Sequence, residues 1–359
     1  MPDDFRAASR AIALVFFVNG TMFGAWGSRI PALRDRLDLS TGELGIALAF
    51  VAGGALMAMP LAGSLAARVG SRTPTRAFVL PMCFVPLLTV LAPSFGVLLG
   101  AMALLGATNG SLDVSMNTQG TTIEQRRGRL LLGRLHAAFS AGGLAGAASG
   151  ALAAEAGIGV GTHLAVVGAV LAVAVAVTGR ALLGGDEHPD RSEPTFARPS
   201  RALAALGILA FCCLLAEGAA VDWSAVYIND DLQASSSTAA LGVAAFSGAM
   251  LLGRLLADRL ATAFGPVALL RAGGLVAGGG LAFGLILDTP VAALAGFAAL
   301  GAGLSVVIPL VFRAATTRGG APSLAAVSTL GYTGFLSGPP IIGAIAEATS
   351  LPVGLAIVP

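Results

Sequence analysis

The chain has 359 residues, 56% of them hydrophobic and 11% charged, against about 25% charged in an ordinary soluble domain, so a water-soluble fold is excluded. The net charge of +2 is a small sum, carried on the basic side entirely by arginine, and its placement matters more than its size. Cys83, Cys212 and Cys213 lie in apolar segments without metal-ligand spacing, which fits small buried hydrophobes and excludes a disulfide framework.

Apolar stretches of about 20 residues, the length a helix needs to cross roughly 30 Å of hydrocarbon, recur from end to end. The fold class is therefore an all-α, polytopic membrane protein. Spans are predicted near residues 9 to 30, 42 to 67, 75 to 92, 94 to 119, 132 to 154 and 161 to 183. The first of them contains the polar Asn19 and is followed by others, so it reads as a retained helix and not a cleaved signal. Residues 184 to 200 are polar, Pro-rich and charged, the composition of a solvated linker. Spans resume near 202 to 228, 237 to 262, 266 to 287, 290 to 312 and 322 to 347, and a stub begins near 352. The expected domains are an N-terminal bundle over 1 to 183, the linker, and a C-terminal bundle over 201 to 359.

Arginine placement sets the orientation, because short cytoplasmic loops retain positive charge. With the N-terminus inside, one set of connections holds Arg68, Arg72, Arg76, Arg126, Arg127, Arg129, Arg134, Arg180, Arg191, Arg198, Arg201, Arg254, Arg259, Arg271, Arg313 and Arg318. The opposite set holds Arg29, Arg34 and Arg36 beside Asp230, Asp231, Asp288 and Glu347. The arginines are accounted for by this rule, so no nucleic-acid partner is implied.

Sliding the chain against itself by 195 residues carries Gly53 to Gly248, Gly70 to Gly265, Gly106 to Gly301 and Gly143 to Gly338, in the order a duplication requires. The same displacement puts the partner of the sixth span near 356 to 378, so most of a twelfth helix is expected to be missing from this chain.

An ionisable group inside the bilayer costs roughly 2.5 to 3.5 kcal/mol at a helix centre, which makes each one a functional candidate. On the first span these polar positions are Asn19, Thr21, Trp26 and Arg29; Arg29 is expected to pair with Asp222 or Glu43, or to snorkel. Asn109, Asp113 and Asn117 recur every four residues on the fourth span, one polar stripe suited to a cavity or a neighbouring helix. His136 and Ser140 share a face of the fifth span. With Asp113 they suggest a hydrolase triad, but no oxyanion-hole motif accompanies them, and the enzyme reading is set aside. The seventh span carries Glu217, about 24 Å along the helix from Arg201, and Asp222 beside Trp223 at about 31 Å. Glu217 reads as a proton-carrying or substrate-binding carboxylate, with a structural hydrogen bond as its other role. Trp223 is placed where tryptophan also serves as an interfacial anchor. Tyr332 on the eleventh span stands beside a glycine and proline break. No metal cluster, phosphate-cradling loop or nucleotide motif occurs, so no cofactor and no ATP-driven step are expected.

Between the second and third spans the chain reads Gly63-Ser64-Leu65-Ala66-Ala67-Arg68-Val69-Gly70-Ser71-Arg72. This resembles the signature loop of the major facilitator superfamily, with Ala67 in place of the acid that pairs across helices there. The second-half copy, Leu256-Ala257-Asp258-Arg259, keeps the acid. The runs Asn109 to Asn117, His136 to Ser140, Glu217 to Trp223 and Gly331-Tyr332 look like a bacterial inner-membrane branch of that superfamily loosely allied to the fucose permeases.

The resemblance implies two six-helix bundles around a central cavity, faced by Asn19, Asp113 and Glu217. It implies a gating role for Gly63, Arg68, Gly70, Arg72, Asp258 and Arg259, and an inner network of Asp113 with His136. The function it implies is secondary transport of a small molecule, either a sugar-like solute or a drug or metabolite, coupled to protons, by a monomer in the inner membrane. A transporter-derived receptor that binds without transport is the alternative.

Overall fold

The computed structural model describes residues 2–127, 131–178, 181–182 and 200–359, and among them the chain forms helices and short connections. Ten helical segments among the described residues are long and apolar enough to cross a membrane. They match the first ten predicted spans. Apolar residues that point away from protein repeat at helical spacing, as on Val166, Val170, Val173 and Val177, which are 58% to 73% exposed. In a soluble protein such a stripe is a liability; here it is the surface a multi-pass protein gives to lipid. The predicted linker lies outside the described residues apart from Ser200.

The chain divides into two compact units, residues 1–38 with 50–189 and residues 39–49 with 190–359. In the first unit α1 (Pro2–Gly27) lies along α7 (Leu132–Glu155) over most of its length. Their glycines make this possible. A Cβ on Gly20 or Gly24 would fall on the carbonyls of Phe139 and Gly143, and one on Gly142 or Gly146 on those of Phe17 and Thr21. Backbone packs on backbone, the contact that small residues provide where lipid is as apolar as leucine.

After α2 (Ile30–Leu37), α3 runs Thr41–Val69 and ends at Gly70, whose φ of +78° is a left-handed conformation that suits glycine. The third predicted span is two helices, α4 (Arg72–Met82) and α5 (Val85–Leu91). Pro86 has no N–H to offer the Met82 carbonyl, and the joint closes by tighter bonds from Cys83 N–H to Leu80 O at 3.1 Å and Phe84 N–H to Pro81 O at 2.9 Å. The indole of Trp26 donates to Thr89 Oγ1 at 3.0 Å and ties α1 to α5. α6 (Phe95–Arg127) packs on α4 and α5, and α8 (Val160–Thr178) on α1 and α5.

The second unit begins at Ser200, whose hydroxyl caps α9 (Arg201–Val226) by accepting from Leu203 N–H at 3.1 Å. A single π-helical turn, Tyr227–Asp231, extends it. Ser235 and Thr289 cap α10 (Ser236–Phe264) and α12 (Pro290–Leu304) in the same way, and α11 (Pro266–Leu287) follows the turn at Gly265. α13 is continuous over Val307–Ala348, and α14 (Leu351–Leu355) is the last element. A break between the tenth and eleventh predicted spans therefore does not occur in the backbone. Arginine, alanine and threonine in that stretch are compatible with helix, and its glycines and Pro322 lower helix propensity without supplying a turn. Several side chains there, at 316, 319–322 and 324–325, lie outside the described residues. α9 packs chiefly on α13, and α12 on both α10 and α11. The first turn of α3 belongs to this unit: Ser40 and Glu43 form a reciprocal capping box, and Glu347 at the end of α13 accepts from Gly42 N–H at 2.6 Å.

The 195-residue displacement found in the sequence also relates contacts. Gly70 and Gly265 share φ +78°. A Cβ on Gly106 would meet the Val51 carbonyl and one on Gly301 the Phe246 carbonyl, and both members of each pair are 195 apart from their counterparts. The approach of Gly143 to Gly20 likewise recurs as Gly338 against Leu215. The two units are one packing scheme used twice.

Close approach of this kind makes a sharp expectation. Gly146→Leu should lower the thermal unfolding midpoint in detergent severely, by an equivalent of about 3 kcal/mol from overpacking. Gly100→Ala, on α6 with open space at its Cβ, should raise it by about 0.5 to 1 kcal/mol through helix propensity. A neutral Gly146→Leu would show that the α1–α7 contact is looser than described.

Candidate functional site

In the first unit the polar stripe of α6 forms as spaced. Asn117 Nδ2 donates to Asp113 Oδ1 at 3.1 Å and to the Asp113 carbonyl at 2.9 Å, and both residues are half-buried. Asn109, one turn earlier, has its Oδ1 buried without a hydrogen bond among the described residues. The same holds for Oδ1 of Asn19 on α1, a residue 2% exposed. Buried amide oxygens left in this way cost free energy until a donor arrives. His136 on α7 stands edge-on to Phe16 of α1, ring centroids 5.4 Å apart, one turn from Asn19. Ser140 Oγ bonds back to the His136 carbonyl at 3.2 Å, a helix-internal use of the hydroxyl.

Arg29 finds hydrogen-bond partners within the first unit. Its guanidinium donates to the Gly150 carbonyl at 3.2 Å and the Ile158 carbonyl at 2.9 Å, around the C-terminal turn of α7 where Gly157 adopts φ +67°. The Ile158 carbonyl lies just beyond the end of α7, where carbonyls carry partial negative charge and lack intrahelical donors, so the guanidinium is held there without an acid, while its Nε is buried without a hydrogen bond among the described residues. His163 Nε2 and Ser149 Oγ, 3.0 Å apart between α8 and α7, form a polar contact the sequence reading passed over.

In the second unit the sharpest feature is an ion pair. Glu217 Oε2 on α9 lies 3.7 Å from Arg254 Nη2 on α10, with side chains 12% and 10% exposed. Both residues fall within candidate membrane spans. Arg254 was counted with the positive connections, and it lies three residues before the end of its candidate span at Ala257. The pair is specific to this half: at the 195-residue displacement Glu217 corresponds to Met22 and Arg254 to Met59.

Asp222, five residues beyond Glu217, is 9% exposed, and no hydrogen bond or ion pair joins it to the described residues. Trp223 is fully buried, its ring against Gly343 of α13 and its indole N–H without an acceptor among the described residues. Tyr332 on α13 is half-buried. Of the gating positions, Gly63 lies in ordinary contact with Val114, Arg68 and Arg259 are exposed, and Arg72 is half-buried. Gly70 makes the turn already described. Asp258 is on α10, but its side chain lies outside the described residues. Among the described residues no cluster of His, Cys, Asp and Glu has the arrangement of a metal site.

Removing one member of a buried pair takes a partner from the other charge. Glu217→Gln and Arg254→Gln should each lower stability by about 2 to 3 kcal/mol, and the double Glu217→Met, Arg254→Met should recover most of it by imitating the first half. Thermal unfolding of the four proteins in detergent reads this cycle; strictly additive losses would deny the contact.

The sequence and the fold both have known counterparts. The family model for the Major Facilitator Superfamily matches residues 12–344. An uncharacterised MFS-type transporter of Yersinia pestis is 34% identical over 350 residues, covering 96% of this chain and 90% of the relative. Membrane protein MosC of Rhizobium meliloti is 33% identical over 354 residues, 95% of this chain and 84% of that one. Among solved structures, the nucleoside transporter NupG superposes with a TM-score of 0.73 at 11% identity, covering 98% and 96% of the two chains. A bacterial homologue of the human lysosomal transporter Spinster, inward-facing, gives 0.71 at 16% identity with 96% and 83% covered. FucP in the outward conformation gives 0.68 at 14% identity with 99% and 96% covered. The chain belongs to the Major Facilitator Superfamily.

Proposed function

We propose that this protein moves a small organic solute across the bacterial inner membrane by alternating access, coupled to protons, with its N-terminus in the cytoplasm. The observation that carries the reading is the Glu217–Arg254 pair inside two candidate spans. A carboxylate held at membrane depth has no cheap structural purpose, and protonation is the change of state available to it as access alternates. The same fold has been captured inward-facing in the Spinster homologue and outward in FucP, which supports alternating access.

In this reading Glu217 carries the proton. Asn19, Asn109, Asp113 and Asn117 with His136 form the polar lining of the first half, the unmet Oδ1 atoms of Asn19 and Asn109 being contacts for solute hydroxyl or amine donors. Asp222, Trp223 and Tyr332 contribute from the second half. Arg68, Arg72, Asp258 and Arg259, with Gly63 within α3 and the turn glycine Gly70, belong to the cytoplasmic gates, and the lone acid Asp258 carries what Ala67 cannot. The protein works as a monomer.

Proteoliposomes carrying a pH-sensitive dye, challenged with pooled sugars, nucleosides, organic acids and cationic drugs, test this directly. Solute-evoked proton movement is expected, reduced at least about tenfold by Glu217→Gln, a loss equivalent to about 1.4 kcal/mol. Ligand-induced stabilisation without any flux would replace transport with a receptor role.

A further inference from the structure

We infer that Asp222, together with the two α13 carbonyls that Pro339 and Pro340 leave without helix donors, is the docking point for an ammonium group of the transported solute. The inference rests on the transport reading above and names its substrate class, a primary amine.

Helix geometry sets where Asp222 stands. Phe211, Leu214, Leu215 and Gly218 of α9 lie against Gly334, Gly331, Gly338 and Phe335 of α13, so α13 covers this side of α9. Asp222 is one turn beyond Gly218 and about 40° from it around the axis, which continues the same side. Glu217 lies about 140° around the helix from Asp222 and meets Arg254 of α10. The two acids therefore belong to different sides of α9.

On α13 the side that faces α9 carries freed backbone oxygen. A proline has no N–H, so Pro339 leaves the Phe335 carbonyl, and Pro340 that of Leu336, without the donor four residues on. The Phe335 oxygen is turned toward α9. A Cβ on Gly218 would come 3.0 Å from it and 3.7 Å from Pro339 Cδ, so the glycine is what admits this carbonyl to the surface of α9. From Gly218 to Asp222 is about 6 Å along the axis, within the reach of a small ligand.

The chemistry of these three groups decides the ligand. Asp222 is 9% exposed, no hydrogen bond or ion pair joins it to the described residues, and a buried carboxylate left alone is costly. The carboxylate and the two carbonyls are all acceptors. A hydroxyl would bring one donor and two lone pairs, and the lone pairs would face oxygens. A carboxylate or phosphate on the solute would be repelled outright. A primary ammonium brings three donors, no acceptor and the opposite charge, one N–H for each of the three groups. A quaternary ammonium has the charge without the donors. Sodium, which broken helices also hold through backbone oxygens, is the rival occupant that the test separates.

The test is the response of thermal unfolding to cations. The protein in detergent is unfolded in tetramethylammonium chloride, then with methylammonium, ethanolammonium or sodium chloride substituted at constant ionic strength, and with sorbitol added. Methylammonium and ethanolammonium should raise the midpoint by a few degrees, while sodium and sorbitol do not. Asp222→Asn, which keeps the shape and removes the charge, should not respond. Should that variant fail to fold, the double Pro339→Ala, Pro340→Ala gives the readout. It returns both N–H groups to α13 through a residue that favours helix, and the ammonium concentration for half the response should rise about tenfold. A response that sodium or sorbitol shares, one that survives in Asp222→Asn or stays unchanged in the proline double variant, or no ammonium response at all overturns the proposal. Flux then separates it from the reading beneath. Proton-coupled uptake of neutral sugars with amino sugars ignored would overturn the ammonium assignment and leave transport standing; ammonium stabilisation without flux of any solute would retain the site and remove transport.

Discussion

Everything in this structure depends on how closely two helices can approach. In lipid there is no gain from hiding one apolar surface against another, so association must come from contact and from hydrogen bonds. The chain meets that constraint with glycines aimed at opposing carbonyls, Gly20 and Gly24 against α7 and Gly142 and Gly146 against α1, with Gly334 set against Phe211 on α9 in the second unit. These contacts are nearly free of side chains and so tolerate almost no change. They fix the packing within each unit.

Much of this was legible in the sequence, because the constraint that sets span length is local. Twenty apolar residues must be helical in hydrocarbon, and the first ten predicted spans were recovered among the described residues. The duplication was legible too, through glycines whose spacing is dictated by close approach. What the sequence concealed was non-local. The continuity of α13 depends on packing that overrides glycine and proline, whereas the joint at Cys83–Phe84 had a local signal in Pro86. The stripe of Asn109, Asp113 and Asn117 could be read since it lies within one helix. Arg29 could not, because its partners are carbonyls, which no residue letter reports. Arg254 was hidden for a third reason: its long, flexible side chain meets a residue on another helix, which spacing along one helix does not report.

A duplicated fold supplies its own control. Where the two halves keep the same small residues, the architecture needs them; where they differ in polarity, something other than packing decides. Asn109, Asp113, Asn117 and His136 of the first half fall on Leu304, Ile308, Phe312 and Gly331 of the second, and Asn19 falls on Leu214. In the opposite direction Glu217 and Arg254 fall on Met22 and Met59. Each half is polar where the other is apolar. If these groups were helix glue, a repeated packing scheme would be expected to repeat them, since the carbonyl contacts around them do recur. Instead the first half carries amides, a carboxylate and an imidazole where the second is apolar, and the second carries a carboxylate and a guanidinium where the first has methionines. Polar groups are thus distributed unequally over two copies of one scaffold, and close helix packing, which both copies share, does not account for where they fall.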